Sequence, residues 1–140
     1  MQSLREFEPL KPAERRLLDL AGSGARVEIG DGELPSDGAN DVEIRAGLIR
    51  LILLGLDPAA VPHAKGIRLR GARITGVLDF QGVDCANDLS LSRCVLEKEP
   101  VFVNARMRGV YLSGCVCPGI SADNAVFDGS VYLRSGFEAT

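Results

Sequence analysis

Gly66-Ile67-Arg68-Leu69-Arg70-Gly71-Ala72-Arg73-Ile74-Thr75-Gly76-Val77-Leu78-Asp79-Phe80 holds the pattern that decides the fold. Two apolar residues separated by one recur about every five positions: Ile67/Leu69, Ala72/Ile74, Leu78/Phe80. The pattern runs on through Val83/Cys85, Leu89/Leu91, Cys94/Leu96, Val101/Val103, Ala105/Met107, Val110/Leu112, Cys115/Cys117, Ile120/Ala122, Ala125/Phe127 and Val131/Leu133. A short fixed repeat of this kind marks a solenoid, in which each unit buries its apolar side only by stacking on the next.

The second members of the pairs fall into four columns. Leu69, Leu91, Leu112 and Leu133 are separated by 22, 21 and 21 residues; Ile74, Leu96 and Cys117 by 22 and 21. Phe80, Val103 and Ala122 form the third column, at 23 and 19, and Cys85, Met107 and Phe127 the fourth, at 22 and 20. The first members follow the same columns, as Ala72, Cys94 and Cys115 do. Four columns with a return near 21 residues describe a chain that turns four corners and stacks on itself. Each side is then a very short strand whose alternate side chains point inward. Corners fall at Gly66, Gly71, Gly76, Gly82, Gly109, Gly114, Gly119 and Gly129. The polar run Glu97-Lys98-Glu99-Pro100 reads as a bulged corner loop. An antiparallel sandwich is the other architecture built of short strands. Its strands run about 5–6 residues with turns every 8–12, and here the turns come about twice as often.

The remaining sequence supplies an N-terminal cap over residues 1–65, before a solenoid over 66–140. Residues 11–21 read as a helix with Pro12 at its first position and Gly22 at its stop. Residues 25–29 alternate and suit a first strand, and 30–40 form a loop rich in glycine and aspartate. A second helix is expected over 42–54, N-capped by Asp41 and ended by Gly55. Val42, Ile44, Leu48, Ile49, Leu51, Ile52, Leu53 and Leu54 make it apolar nearly all round, so it should be buried, covering the open end of the first coil. Arg45 lies on that apolar side, where it snorkels or pairs with a loop acid such as Asp37 or Asp41. The other end shows no such cap. The chain either continues as a longer solenoid or stacks its open C-terminal end against a second copy as a homodimer.

Composition bounds the chemistry. The 140 residues are 46% apolar, enough for a core, yet only 5% aromatic with no Trp, so that core must be aliphatic and thin. Residues 1–65 carry 8 basic and 11 acidic side chains, and residues 66–140 carry 8 of each. A neutral body lacks the basic stripe of a nucleic-acid groove. The longest apolar run, 47–56, is interrupted by Arg50 and is far short of the ~20 residues of a membrane span. With no secretory segment at the start and four cysteines at inward positions, the chain reads as a soluble cytoplasmic protein.

Candidate reactive groups are few. Cys115-x-Cys117, with Cys94 stacked beside Cys115, lacks the spacing and the further ligands of a metal site. The one histidine, His63, lies in the connector 58–65 with no acid or thiol tied to it. Gly22-Ser23-Gly24 lacks the third glycine of a dinucleotide loop, and no phosphate-binding loop is present. Arg68, Arg70 and Arg73 cluster on the first coil, while Arg106 and Arg108 follow two corners on and fall on a different side. Asp79, Asp84, Asp123 and Asp128 are outward and scattered. No catalytic, cofactor-binding or metal-binding residue is assigned, and no cofactor is expected.

The repeat resembles that of the pentapeptide-repeat proteins. Ala72/Ile74, Cys94/Leu96, Ala105/Met107 and Ala125/Phe127 match their preference for a small residue and then Leu or Phe, while Leu78/Phe80, Leu89/Leu91 and Ile120/Ala122 depart from it. The stretch 66–80, the end 131–137 and the segment around 44–50 are also similar to a bacterial family of uncharacterised, pentapeptide-like proteins. The resemblance implies a right-handed four-sided β-helix and brings no catalytic residues. Stacked repeats create extended surfaces, so the chain is expected to be a non-enzymatic scaffold that offers its outer faces to a protein partner. Some pentapeptide-repeat proteins are acidic rod-shaped dimers that mimic DNA and bind topoisomerases, which the neutral charge of 66–140 disfavours. Some members of the uncharacterised family are labelled oxidoreductases, and the missing cofactor cradle disfavours that too.

Overall fold

A computed structural model of the chain describes residues 3–23, 25–35, 41–60, 66–128, 131–134 and 138–139. Short parallel strands stack in three sheets, and the helices lie in the N-terminal part of the chain. The first sheet runs β1 (Val27–Glu28), β3 (Ile67–Arg70), β6 (Leu89–Ser92), β9 (Val110–Ser113) and β12 (Val131–Arg134). The second runs β2 (Glu43–Arg45), β4 (Arg73–Thr75), β7 (Val95–Leu96), β10 (Val116–Cys117) and β13 (Glu138–Ala139). The third holds β5 (Asp84–Cys85), β8 (Arg106–Met107) and β11 (Val126–Phe127). Between the second and third sheets, isolated parallel bridges link Asp79 to Val101 and Val101 to Ser121. This is a solenoid-like parallel arrangement, and its register carries the sequence repeat.

Three of the four expected columns stand in that register. Leu69 pairs with Leu91, Leu91 with Leu112 and Leu112 with Leu133. Ile74 pairs with Leu96, and Cys85 and Phe127 both pair with Met107. The third column differs. The bridges put Phe102, not Val103, in line with Phe80. Phe102 is buried while Val101 and Val103 are only half-buried. The inward pair is therefore Pro100/Phe102, which replaces the steps of 23 and 19 by 22 and 20. Pro100 is buried here rather than part of a looped-out corner. Val101 donates to Leu78 and accepts from Phe80, and Pro100 joins the coil on the other side as an acceptor, from Ser121 N at 3.0 Å. The Phe80 and Phe102 rings stack with centroids 5.8 Å apart, a contact aliphatic Val103 could not make.

The N-terminal segment contributes to the same sheets. Helix α1 (Pro12–Ala21) begins at its proline. β1 extends the first sheet, with Val27 opposite Leu69. The helix expected over 42–54 is shorter. Residues 43–45 form β2, pairing Ile44 with Ile74, and α2 covers only Ala46–Leu53, so Arg45 rather than Asp41 precedes it. Val42, Ile44 and Ala46 are buried while Glu43 and Arg45 are half-buried, which is strand alternation. The open edge of β4 offered ladder bonds that outweighed helix propensity. Gly55, at φ +62°, ends α2 as expected: its amide reaches Ile52 O and that of Leu56 reaches Leu51 O.

Strands β1 and β2 supply only two sides of the first layer. Helix α2 lies where the other two would be. Arg50 Nε donates to Asp79 O (2.9 Å), and Asn87 Nδ2 donates to Leu53 O (3.0 Å). Six of its eight residues are buried in one core with the inward rows. Helix α2 thus packs against the stacked sheets, and no helix among the described residues is long and apolar enough to cross a membrane.

Candidate functional site

Every candidate side chain is placed by one of three geometries: an inward row, the N-terminal cap, or an outward row. The thiols belong to the first. Ala72, Cys94 and Cys115 follow one another, Val95 N donating to Ala72 O and Val116 N to Cys94 O, each at 3.0 Å. Cys94 Sγ donates to Ser92 O (3.4 Å) and Cys115 Sγ to Leu91 O (3.3 Å). Burial pushes the Cys94 thiol well up, and burial also raises Cys85 and Cys117. A thiol that stays protonated is a weak nucleophile and a weak ligand. No group of three or more His, Cys, Asp or Glu able to hold a metal occurs among the described residues. The four cysteines are buried and free, packing as small hydrophobes.

Arg45 finds its acid in α1 rather than at Asp41; Asp37 lies outside the described residues. Arg45 Nε donates to Glu14 Oε2 (2.8 Å) and Nη2 to Glu14 Oε1 (2.7 Å), a bidentate pair. The backbone amides of Arg45 and Lys11 each donate to the same carboxylate at 2.9 Å. The guanidinium also reaches Phe7 O and lies over the Phe7 ring, 5.2 Å from its centroid. Glu14 is the single buried charged residue among those described. Burial works to raise its carboxyl; Arg45 and the two amides outweigh that and hold it below the usual carboxylate range. All four oxygen-directed donors are used, so this pair is a structural lock.

The outward rows carry the remaining candidates. On the third sheet, Asp84, Cys85, Ala86, Arg106, Arg108 and Asp128 line an open depression of about 490 Å³. Arg106 forms a fork with Asp128 at 2.9 and 3.2 Å, and Arg108 Nε lies 3.6 Å from Asp88 Oδ1. Arg106 holds the Asp128 carboxyl down, and Asp128 holds the Arg106 guanidinium up. Within this depression Arg106 and Asp128 thus satisfy each other. Asp79 and Asp123 are exposed and lie elsewhere.

Arg68, Arg70 and Arg73 divide between two sheets. Arg73 belongs to β4, whereas Arg68 and Arg70 stand outward on β3. In register with them along the first sheet are two rows. One is Arg68, Ser90, Tyr111, Tyr132; the other is Arg70, Ser92, Ser113, Arg134. These strands, four residues each, are the longest described. The sequence reading named only the first two arginines. The rows lie at the middle position of each apolar pair and just after it, so the column spacing that found the core also locates them.

His63, Gly24, Gly129 and Phe137 lie outside the described residues. Gly109 and Gly119 do mark corners, without the left-handed backbone found at Gly66, Gly71, Gly76, Gly82 and Gly114. No family model, curated protein or solved structure matches this chain.

Proposed function

We propose that the chain is a non-enzymatic protein-interaction scaffold, a right-handed four-sided β-helix of the pentapeptide-repeat kind acting in the cytoplasm. The observation that carries this reading is the contrast between inside and outside. The inward rows are packed with Leu, Ile, Phe, Met and Cys and leave the coil filled. The first sheet meanwhile presents four in-register strands of equal length as one regular outer surface. Stacked repeats commonly act through such extended surfaces. Buried free thiols suit a reducing compartment.

The test is site-specific photo-cross-linking in cells that express the chain natively. A photoreactive residue would replace Ser92 on the first sheet, Val95 on the second, Val101 on the bridged row and Asp84 on the third. Adducts of discrete size concentrated on one side are the expected result. An absence of adducts from all four sides would overturn the reading. So would a flavin or nicotinamide spectrum in the purified chain accompanied by turnover.

A further inference from the structure

Cys94 and Cys115 are neighbours on successive coils. Val95 and Val116 pair in register, and Val116 N donates to Cys94 O at 3.0 Å, which sets the two cysteines side by side one residue earlier. Both point inward and both are 0% exposed. The spacing between neighbouring strands, about 4.8 Å, lies inside the roughly 4.4–6.8 Å that a disulfide spans between Cα atoms. The other two thiols have no such neighbour in register: Cys85 pairs with Met107, and Cys117 with Ala139. Cys117 lies two residues along the strand from Cys115, about 6.6 Å, at the far limit of that span. The Cys94 thiol, by hydrogen bonding, holds the Cys115 thiol below the usual thiol range, while burial pushes Cys94 up.

We propose that Cys94 and Cys115 form a reversible oxidation site, which hydrogen peroxide closes into a disulfide between adjacent coils. Peroxide is nearly as small as water, so a brief parting of the two coils admits it and keeps larger oxidants out. The Cys115 sulfur attacks one peroxide oxygen and the O–O bond breaks; the hydroxide released takes the thiol proton and leaves as water. Cys115 is then a sulfenic acid. The Cys94 sulfur attacks the Cys115 sulfur, the S–O bond breaks, and the departing hydroxide takes the Cys94 proton as a second water. Two thiols lose two electrons in all, and one peroxide gains them. The new bond staples two layers that otherwise meet through backbone ladders and packing, and a thiol reductant reopens it. The site goes beyond the scaffold reading and does not depend on it.

The experiment treats the purified full chain with hydrogen peroxide in native buffer, removes the peroxide, then denatures the protein in the presence of N-ethylmaleimide. Two of the four thiols should escape labelling. Trypsin should release residues 94–98 joined to residues 109–134. The second peptide holds both Cys115 and Cys117, so fragmentation of the joined species identifies the partner. Dithiothreitol should restore both thiols. The oxidised chain should unfold at higher urea than the reduced one. Each variant is compared with its own reduced form: Cys94→Ala should lose that rise and Cys85→Ala should keep it. Labelling of all four thiols after peroxide would overturn the inference. So would sulfinic acid at either cysteine without a link, a link through Cys85 or Cys117, or a link that forms only in urea. The peptide map on the unaltered chain decides the matter even where an alanine variant fails to fold.

Discussion

The middle of the stack and its N-terminal end close the same core by different chemistry. Between β3 and β9 each inward row is apolar and strands of the same side stack on one another in register. At the N-terminal end only β1 and β2 continue the ladders, and α2 covers the remaining two sides. There a buried carboxylate, fixed by four hydrogen bonds, ties α1 to β2. Repetition supplies position through backbone ladders alone, without directional side-chain bonds, because any unit matches the next. An end has no next unit, and its different elements are aligned by a polar contact that fits in one way.

Four experiments probe that contrast. The largest effect is expected at Gly66, inside the repeating part. Its φ is +79°, and an added Cβ would stand 1.9 Å from Asp88 O, the carbonyl of the coil above. Gly66→Ala should cost at least about 4 kcal/mol. Gly76 is also left-handed but has nothing within 4 Å of such a Cβ, so Gly76→Ala should cost only about 1–2 kcal/mol. Urea unfolding of the two variants gives the comparison, and equal losses would mean that the coils do not approach closely at Gly66.

Next is the bridged row. Phe102→Ala should lose about 3–5 kcal/mol by leaving a cavity between Phe80 and Phe127. Val103→Ala should stay within about 1 kcal/mol, as for a position outside the packed row. The reverse ranking would restore Val103 to the column.

At the capped end, Glu14→Gln should cost about 3 kcal/mol, since it strands Arg45 without its charge. The Glu14 carboxyl is held below its ordinary value in the folded chain. Its contribution is therefore complete above the unfolded-state value, about 4.3, and drains away as pH falls toward the folded one. Denaturation midpoints at pH 7 and pH 3.5 should show the gap between wild type and Glu14→Gln narrowing in acid. A gap of constant size would assign the stability to packing alone.

The smallest effect has the opposite sign. Arg93 sits at φ +52° at the corner where Gly71 and Gly114 sit in the adjoining coils. Arg93→Gly should raise stability by about 1 kcal/mol, less what its contact with Glu33 supplies. A thermal melt of the variant decides whether the corner or the contact dominates.

What could be read from the sequence follows the same division. Where units repeat, spacing alone located Leu69, Leu91 and Leu112, because each error in one coil is corrected by the next. The row through Phe102 escaped because Pro100 looks like a breaker, and only the ladder shows that it joins the next coil through its carbonyl. The cap was legible in outline: α1, the strand near Val27, the covering role of α2 and its stop at Gly55. Its details depended on tertiary neighbours. Residues 43–45 became a strand because β4 offered an edge, and Glu14 met Arg45 across 31 positions that no local pattern connects. The outward serines and tyrosines of the first sheet were readable but silent, since alternation fixes where they stand and not what meets them.

The ladders also set how the molecule should respond to force. Bonds such as Ile67 N to Asp88 O and Leu89 N to Gly109 O, each 3.0 Å, run from coil to coil, along the axis of the stack. Tension along that axis would strain such bonds end-on and peel coils away in turn, each release lengthening the chain by one repeat. Tension across the axis, drawn along the strands, would load many bonds in shear together. The structure is thus mechanically anisotropic, compliant in the direction in which it repeats and stiff in the directions in which it turns.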